Sequence, residues 1–146
     1  MTETSAAPRS TNRARTIRRA VGVIAAALAA VLVWLIAVPL IGLDLAANQQ
    51  GAAQQIGLGA VLSITTLAGL AGWALLALLE RFTSRGRQIW TIIALVVLAL
   101  SMLGPIAGGI GLGTKVVLSL MHLVVGAILI IAFTRSPAVG DARRSV

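Results

Sequence analysis

Four long apolar stretches separated by short polar segments organise the chain. They cover about residues 18–42, 56–80, 88–108 and 113–134, and at 1.5 Å per residue each is long enough to cross a hydrocarbon layer of about 30 Å as a helix. The expected fold is therefore all-α: an integral membrane four-helix bundle in up-down-up-down order, with a transmembrane domain over about residues 17–135. The flanking segments, 1–16 (MTETSAAPRSTNRART) and 136–146, have no apolar periodicity and are expected to be disordered tails.

Proline and glycine mark the ends of the stretches. Pro39 lies near the end of the first, where a missing N–H costs little beside headgroup water. The segment LDLAANQQGAAQQ, from Leu43 to Gln55, reads as a polar loop. RFTSRGRQ, from Arg81 to Gln88, is short enough to make the second and third spans antiparallel neighbours. Gly104-Pro105 interrupts the third stretch, so that GPIAGGIGLGT, from Gly104 to Thr114, either continues as a kinked helix or leaves it as a turn.

Charge adds a direction to this layout. Arg9, Arg13, Arg15, Arg18 and Arg19 precede the first span, Arg81, Arg85 and Arg87 lie between the second and third, and Arg135, Arg143 and Arg144 follow the fourth. Only Lys115 falls on the other side. Positive residues near spans are retained on the cytoplasmic side, which predicts a multi-pass protein of the cell membrane with both termini cytoplasmic. Composition agrees: 58% hydrophobic residues, 11% charged residues and a mean hydropathy of +0.98 exclude a soluble globular domain. The net charge of +8 flanks spans instead of lining a basic face with aromatic residues, so nucleic acid is not an expected partner. The lipid bilayer is, with anionic headgroups at the cytoplasmic face attracting each nearby Arg by roughly 1 kcal/mol. The absence of Cys removes disulfides and thiol chemistry.

Few polar groups remain within the spans. Gly59, Ser63, Thr66, Leu70, Trp73, Ala77 and Glu80 follow one another at steps of three and four along the second span, as do Lys115, Ser119, His122 and Gly126 along the fourth. Both spans run in the same direction, which puts Thr66 and His122 at a common depth of about 14 Å and Ser101 slightly beyond it. The expectation is a polar cluster of Thr66, Ser101, Ser119 and His122 inside the bundle, because lipid offers these groups no hydrogen bonds. His122 is the one ionisable residue at mid-span, and either holds helix register as a neutral ring or handles a proton or ligand. One His without Cys or nearby acids supplies too few ligands for a metal or haem, so no metal and no cofactor is expected. Asp44 and Lys115 either pair at the far side or stand as solvated charges, an exposed pair being worth about 0–1 kcal/mol. Glu80 is expected to pair at the surface with Arg81, Arg85 or Arg87. Small residues at helical spacing, Ala25 with Ala29, Ala68 with Gly72, Gly104 with Gly108 and Gly109 with Gly113, predict close helix packing.

The run PIAGGIGLGTKVVLSLMHLVVGAILI, from Pro105 to Ile130, follows an apolar segment ending at Leu100 to Gly104. With Pro105 closing the third span, Thr114 opening the fourth and a Leu-Met-His-Leu-Val core at Leu120 to Val124, it resembles the last two spans of a family of small uncharacterised four-span actinobacterial membrane proteins. The resemblance implies a four-helix membrane domain of unknown function and carries no catalytic residue across. The residues themselves show no paired carboxylates and no nucleophile beside a base apart from Ser119 and His122, whose spacing a shared packing face also explains. The chain is accordingly expected not to be an enzyme. Its expected role is a structural or interaction component of the cell envelope that binds another membrane protein or itself. The alternative is a small transporter or channel subunit whose path passes the polar cluster around His122.

Overall fold

A computed structural model describes residues 9–49 and 51–135. Helix α1 spans Arg9–Leu35 and runs into a widened π turn, Ile36–Leu40. Two short strands follow, β1 (Ala46–Gln49) and β2 (Ala52–Gln55), and then α2 (Leu58–Phe82), α3 (Gly86–Ser101), α4 (Leu103–Gly108) and α5 (Gly111–Thr134). Within these the four segments Arg13–Leu40, Leu58–Phe82, Gly86–Gly108 and Gly111–Thr134 are long and apolar enough to cross a membrane.

Two features depart from expectation, and a third combines the alternatives left open. Of the segment expected to be a disordered tail at 1–16, residues 9–16 are helical, while the remainder and the tail at 136–146 lie outside the described residues. Once the apolar part of α1 has nucleated, each further residue adds one backbone bond, and Arg is a good helix former. The expected polar loop is an antiparallel β1–β2 hairpin, with Ala46 opposite Gln55 and Gln49 opposite Ala52. The tract after Gly104 is both of its alternatives in turn. The third span breaks at Met102 and resumes as α4, with Pro105 in its interior, before Gly109 and Ile110 leave the helix in extended conformation. Pro105 lacks the N–H that would reach back to Ser101, so the ladder is weakest just where the break falls.

Pro39 acts on α1 in the same way. Its missing donor is absorbed by widening the turn, so that the Ile41 amide donates to Ile36 and the Leu43 amide to Ala37. Gly42, at φ +77°, then closes the helix as a left-handed cap whose amide donates to the Val38 carbonyl at 3.0 Å.

Packing places α1 between α2 and α5, and α3 on the opposite side against the same two helices, with α2 and α5 in sparse direct contact. The face of α1 that enters the bundle is small: Ala26 and Ala30 are fully buried and Ala37 nearly so, one position along from the Ala25 and Ala29 pair that spacing suggested. At Gly22 the approach is closest, since a Cβ there would lie 2.5 Å from the Cβ of Ala132 on α5. Two core clusters result. Near the start of α1, Val23, Leu76, Trp90 and Phe133 contribute one buried side chain from each long helix, with the Trp90 and Phe133 rings 5.3 Å apart. Nearer the hairpin, Ala30, Val61 and Met121 join α1, α2 and α5 only.

The hairpin is tied down at both feet. The Ile56 amide donates to the Leu45 carbonyl at 2.8 Å, and the buried Leu45 side chain plugs its base. Trp34 Nε1 on α1 donates to the Ile56 carbonyl at 2.9 Å, Thr114 Oγ1 on α5 to the Asp44 carbonyl at 3.2 Å, and the Ile110 amide to the Ala46 carbonyl at 2.9 Å.

Candidate functional site

Because α2 and α5 barely touch, space opens between them on the side where α3 and α4 pack. A crevice of about 510 Å³ lies among the hairpin, α2, α4 and α5, and its walls include Gln54, Gln55, Thr65, Pro105, Met121 and His122. A second, of about 450 Å³, lies among α2, α3 and α5, with Trp90, Leu98, Ser101, His122 and Leu129 in its walls. Ala68, His122 and Val125 line both. His122 therefore stands where the two meet.

Of the four residues expected to form a polar cluster, His122 and Ser101 share the second crevice, whereas Thr66 and Ser119 are half-buried and line neither. Thr65, the neighbour of Thr66, is buried and faces the first crevice. No hydrogen bond joins the four to one another. Instead the polar groups turn back on their own helices: His122 Nδ1 lies 2.7 Å from the Leu118 carbonyl, and Ser101 Oγ donates to the Leu98 carbonyl at 2.7 Å. Thr91 and Thr134 bond in the same manner to Arg87 and Ile130. A carbonyl one turn back is always within reach of a hydroxyl or ring N–H, so a polar side chain among apolar helices needs no cross-helix partner. Since the Leu118 carbonyl can only accept, Nδ1 donates, and in a neutral ring Nε2 is left as the acceptor. The pair of crevices is thus a largely apolar space with an imidazole in the wall common to both.

Among the charges, the pairing of Glu80 differs from expectation. Asp44 and Lys115 form no ion pair; Asp44 is exposed, and its contribution to the hairpin foot is its backbone carbonyl. The ion pair lies at the other end, where Arg19 Nη2 donates to both Glu80 oxygens at 2.7 Å. Its partners are far apart in the sequence, where the nearest cations to Glu80 are Arg81, Arg85 and Arg87. The usable signal was depth: in antiparallel spans Arg19 and Glu80 fall at the same boundary. Arg19 is 5% exposed and Glu80 23%, so the pair is well withdrawn from solvent. Around it Arg18 feels the repulsive fields of Arg87, Arg19 and Arg15, opposed among the described residues by Glu80. The Nε atoms of Arg18 and Arg19 are buried without a hydrogen-bond partner, and a buried donor left so costs about 1–3 kcal/mol.

Among the described residues no group of three or more His, Cys, Asp or Glu side chains lies together as metal ligands would. Comparison with curated proteins and with solved structures returns no match. A family profile described as a family of unknown function (DUF6069) matches residues 10–139, which is nearly the whole chain and includes every element of the bundle and both crevices, and the chain belongs to that family.

Proposed function

We propose that this chain is a structural or interaction component of the cell envelope, without catalytic activity of its own, held in the cell membrane in up-down-up-down order with its arginine-bearing end and both termini cytoplasmic. The observation that carries it is the uneven burial of the four apolar helices. Of the most apolar stretch of Gly86–Gly108, the segment that contains α3, only 11% is buried, against 28% for that of Arg13–Leu40. Helix α3 also takes no part in the second core cluster, and Ile92, Val96 and Leu100 form an exposed apolar stripe along it. Such a stripe serves equally as a lipid-facing surface and as a seat for another membrane helix, and the proposal is the latter: a partner protein or a second copy packs on α3. Photo-crosslinking in intact membranes tests it. A photoreactive residue at Val96 should give a discrete protein adduct, and one at Leu28, exposed on α1, should give none. Equal labelling from both positions, or no protein adduct from either, would count against the proposal.

One observation favours a second reading, a small transporter or channel subunit. The two crevices share His122, so a path through the bundle would pass an imidazole able to take and release a proton. Reconstituted vesicles should then show pH-dependent flux that His122→Leu abolishes. Flux no higher than that of empty vesicles would sink this alternative.

A further inference from the structure

The walls of the two crevices differ in what they offer a ligand. At about 510 and 450 Å³, each is within the usual range of small-molecule sites, about 300–1,000 Å³. Among the described residues neither wall carries Lys, Arg, Asp or Glu, so a charged group inside would lack a counter-charge and its burial would be costly. The matching occupant is uncharged.

The second crevice narrows the class further. Its side chains with N–H or O–H groups are Trp90, Ser101 and His122, and each has given that hydrogen to a backbone carbonyl. Trp90 Nε1 donates to Gly72 at 2.8 Å, Ser101 Oγ to Leu98 at 2.7 Å, and His122 Nδ1 to Leu118 at 2.7 Å. A ligand carbonyl or ether oxygen placed here would lose its hydration and find no side-chain donor in return. What the wall offers instead is acceptors, the Ser101 oxygen and, in a neutral His122 ring, Nε2. The remaining wall is largely aliphatic, with Ile93, Val97, Leu98 and Leu129 among its residues. The complementary molecule has a hydrocarbon body and an O–H. An ammonium donor would be charged, and an amide N–H would bring an unanswered carbonyl with it. Because His122 also lines the first crevice, where the hairpin contributes the amides of Asn48, Gln54 and Gln55, the polar end of the molecule faces that way.

We propose that the crevices form a binding site for an uncharged long-chain alcohol, whose hydrocarbon chain fills the second crevice and whose hydroxyl donates to Nε2 of His122. Ala68 and Val125, which line both spaces with His122, flank the hydroxyl. The site requires neither a partner on α3 nor flux through the bundle, so it stands or falls separately from both readings above.

The test uses the full chain in phosphatidylcholine nanodiscs and a tetradecanol carrying a diazirine on its chain. After illumination, adducts are mapped by mass spectrometry. Labelling at Ile93 and Leu129 should saturate with probe concentration, whereas labelling at Leu28, exposed on α1, should rise linearly as for any lipid-facing position. Unlabelled tetradecanol should displace the saturable part about fivefold more effectively than tetradecyl methyl ether, the ratio expected of one hydrogen bond. In His122→Leu the alcohol should weaken about fivefold and the two competitors should become equal, a loss of discrimination that damaged packing alone would not produce. Should His122→Leu fold poorly, Ala68→Phe replaces it, since Ala68 is exposed and the larger ring would fill the wall common to both crevices. Saturable labelling should then disappear. Linear labelling at every position, equal displacement by alcohol and ether in the unaltered chain, discrimination kept in His122→Leu, or saturable labelling unchanged in Ala68→Phe would each overturn the site.

Discussion

The two ends of the bundle hold together by different means. At the arginine end each long helix gives a buried side chain to one cluster, the Trp90 and Phe133 rings pack at 5.3 Å, and a withdrawn ion pair ties α1 to α2. At the hairpin end the core has three contributors, all of moderate or small size, and the helices are spanned by a hairpin hung on backbone carbonyls. The crevices lie between these regimes. Where apolar side chains fill the space, the helices close; where the sequence supplies Ala68, Gly104, Gly108 and Val125, they leave room. In lipid, transferring apolar surface from water no longer drives helices together, so fit decides, and this bundle fits at one end.

Substitution at the two cores should break that asymmetry most severely. Phe133 is fully buried among all four helices, and Phe133→Ala should cost about 3 kcal/mol, at the low end of the range for buried aromatics because the released surface meets lipid. Met121→Ala in the smaller core should cost about 1–2 kcal/mol, the neighbouring crevice already having spared its contacts. Reversible unfolding in mixed micelles measures both. Equal costs would mean that the two ends are equally packed. Glu80→Gln comes next, at about 1–3 kcal/mol, because it leaves Arg19 buried without its counter-charge, while Glu80 is itself partly exposed and so weakens the effect. The double replacement of Arg19 by Met and Glu80 by Leu should recover most of the loss, since removing both charges removes the desolvation cost. A double variant as unstable as Glu80→Gln would show that the pair contributes net stability.

The same asymmetry governs what the sequence discloses. Four apolar helices were legible because spanning length and composition are properties of a single segment, and the bundle keeps them. Which face of each helix turns inward was not. On α2 the buried positions are Val61, Thr65, Gly69 and Leu76, offset from the stripe through Ser63, Thr66 and Leu70 that polarity suggested. In a soluble helix polar residues mark the outside; in a chain apolar all round, the inside is set by size, and Gly69 is buried because Val23 of α1 needs its space. The polar stripe was a poor guide for a second reason, since Ser101 and His122 satisfy themselves on their own helices. The hairpin has little strand signal because Ala and Gln are weak strand formers. Its only local signs were the near repetition of Ala-Ala-Asn-Gln and Ala-Ala-Gln-Gln around Gly51 and the length of the polar segment.

The smallest expected effect separates the two ends most cleanly, because it is local. Thr114 is 3% exposed and its hydroxyl donates to the Asp44 carbonyl, one of the bonds by which α5 and α1 grip the hairpin. Thr114→Val keeps the shape of the side chain and removes that bond, leaving the carbonyl unanswered, at a cost of about 0.5–1.5 kcal/mol. Because no core side chain depends on the bond, the loss should appear as opening of the hairpin and not of the bundle. Hydrogen exchange should accelerate at the Ile56 and Ile110 amides, whose acceptors are Leu45 and Ala46, and stay unchanged in the helices around Phe133. If exchange rises throughout instead, the hairpin and the aromatic core form one cooperative unit. The crevices around His122 would then be a fixed feature of the packing, and not a space whose mouth can open independently of the arginine end.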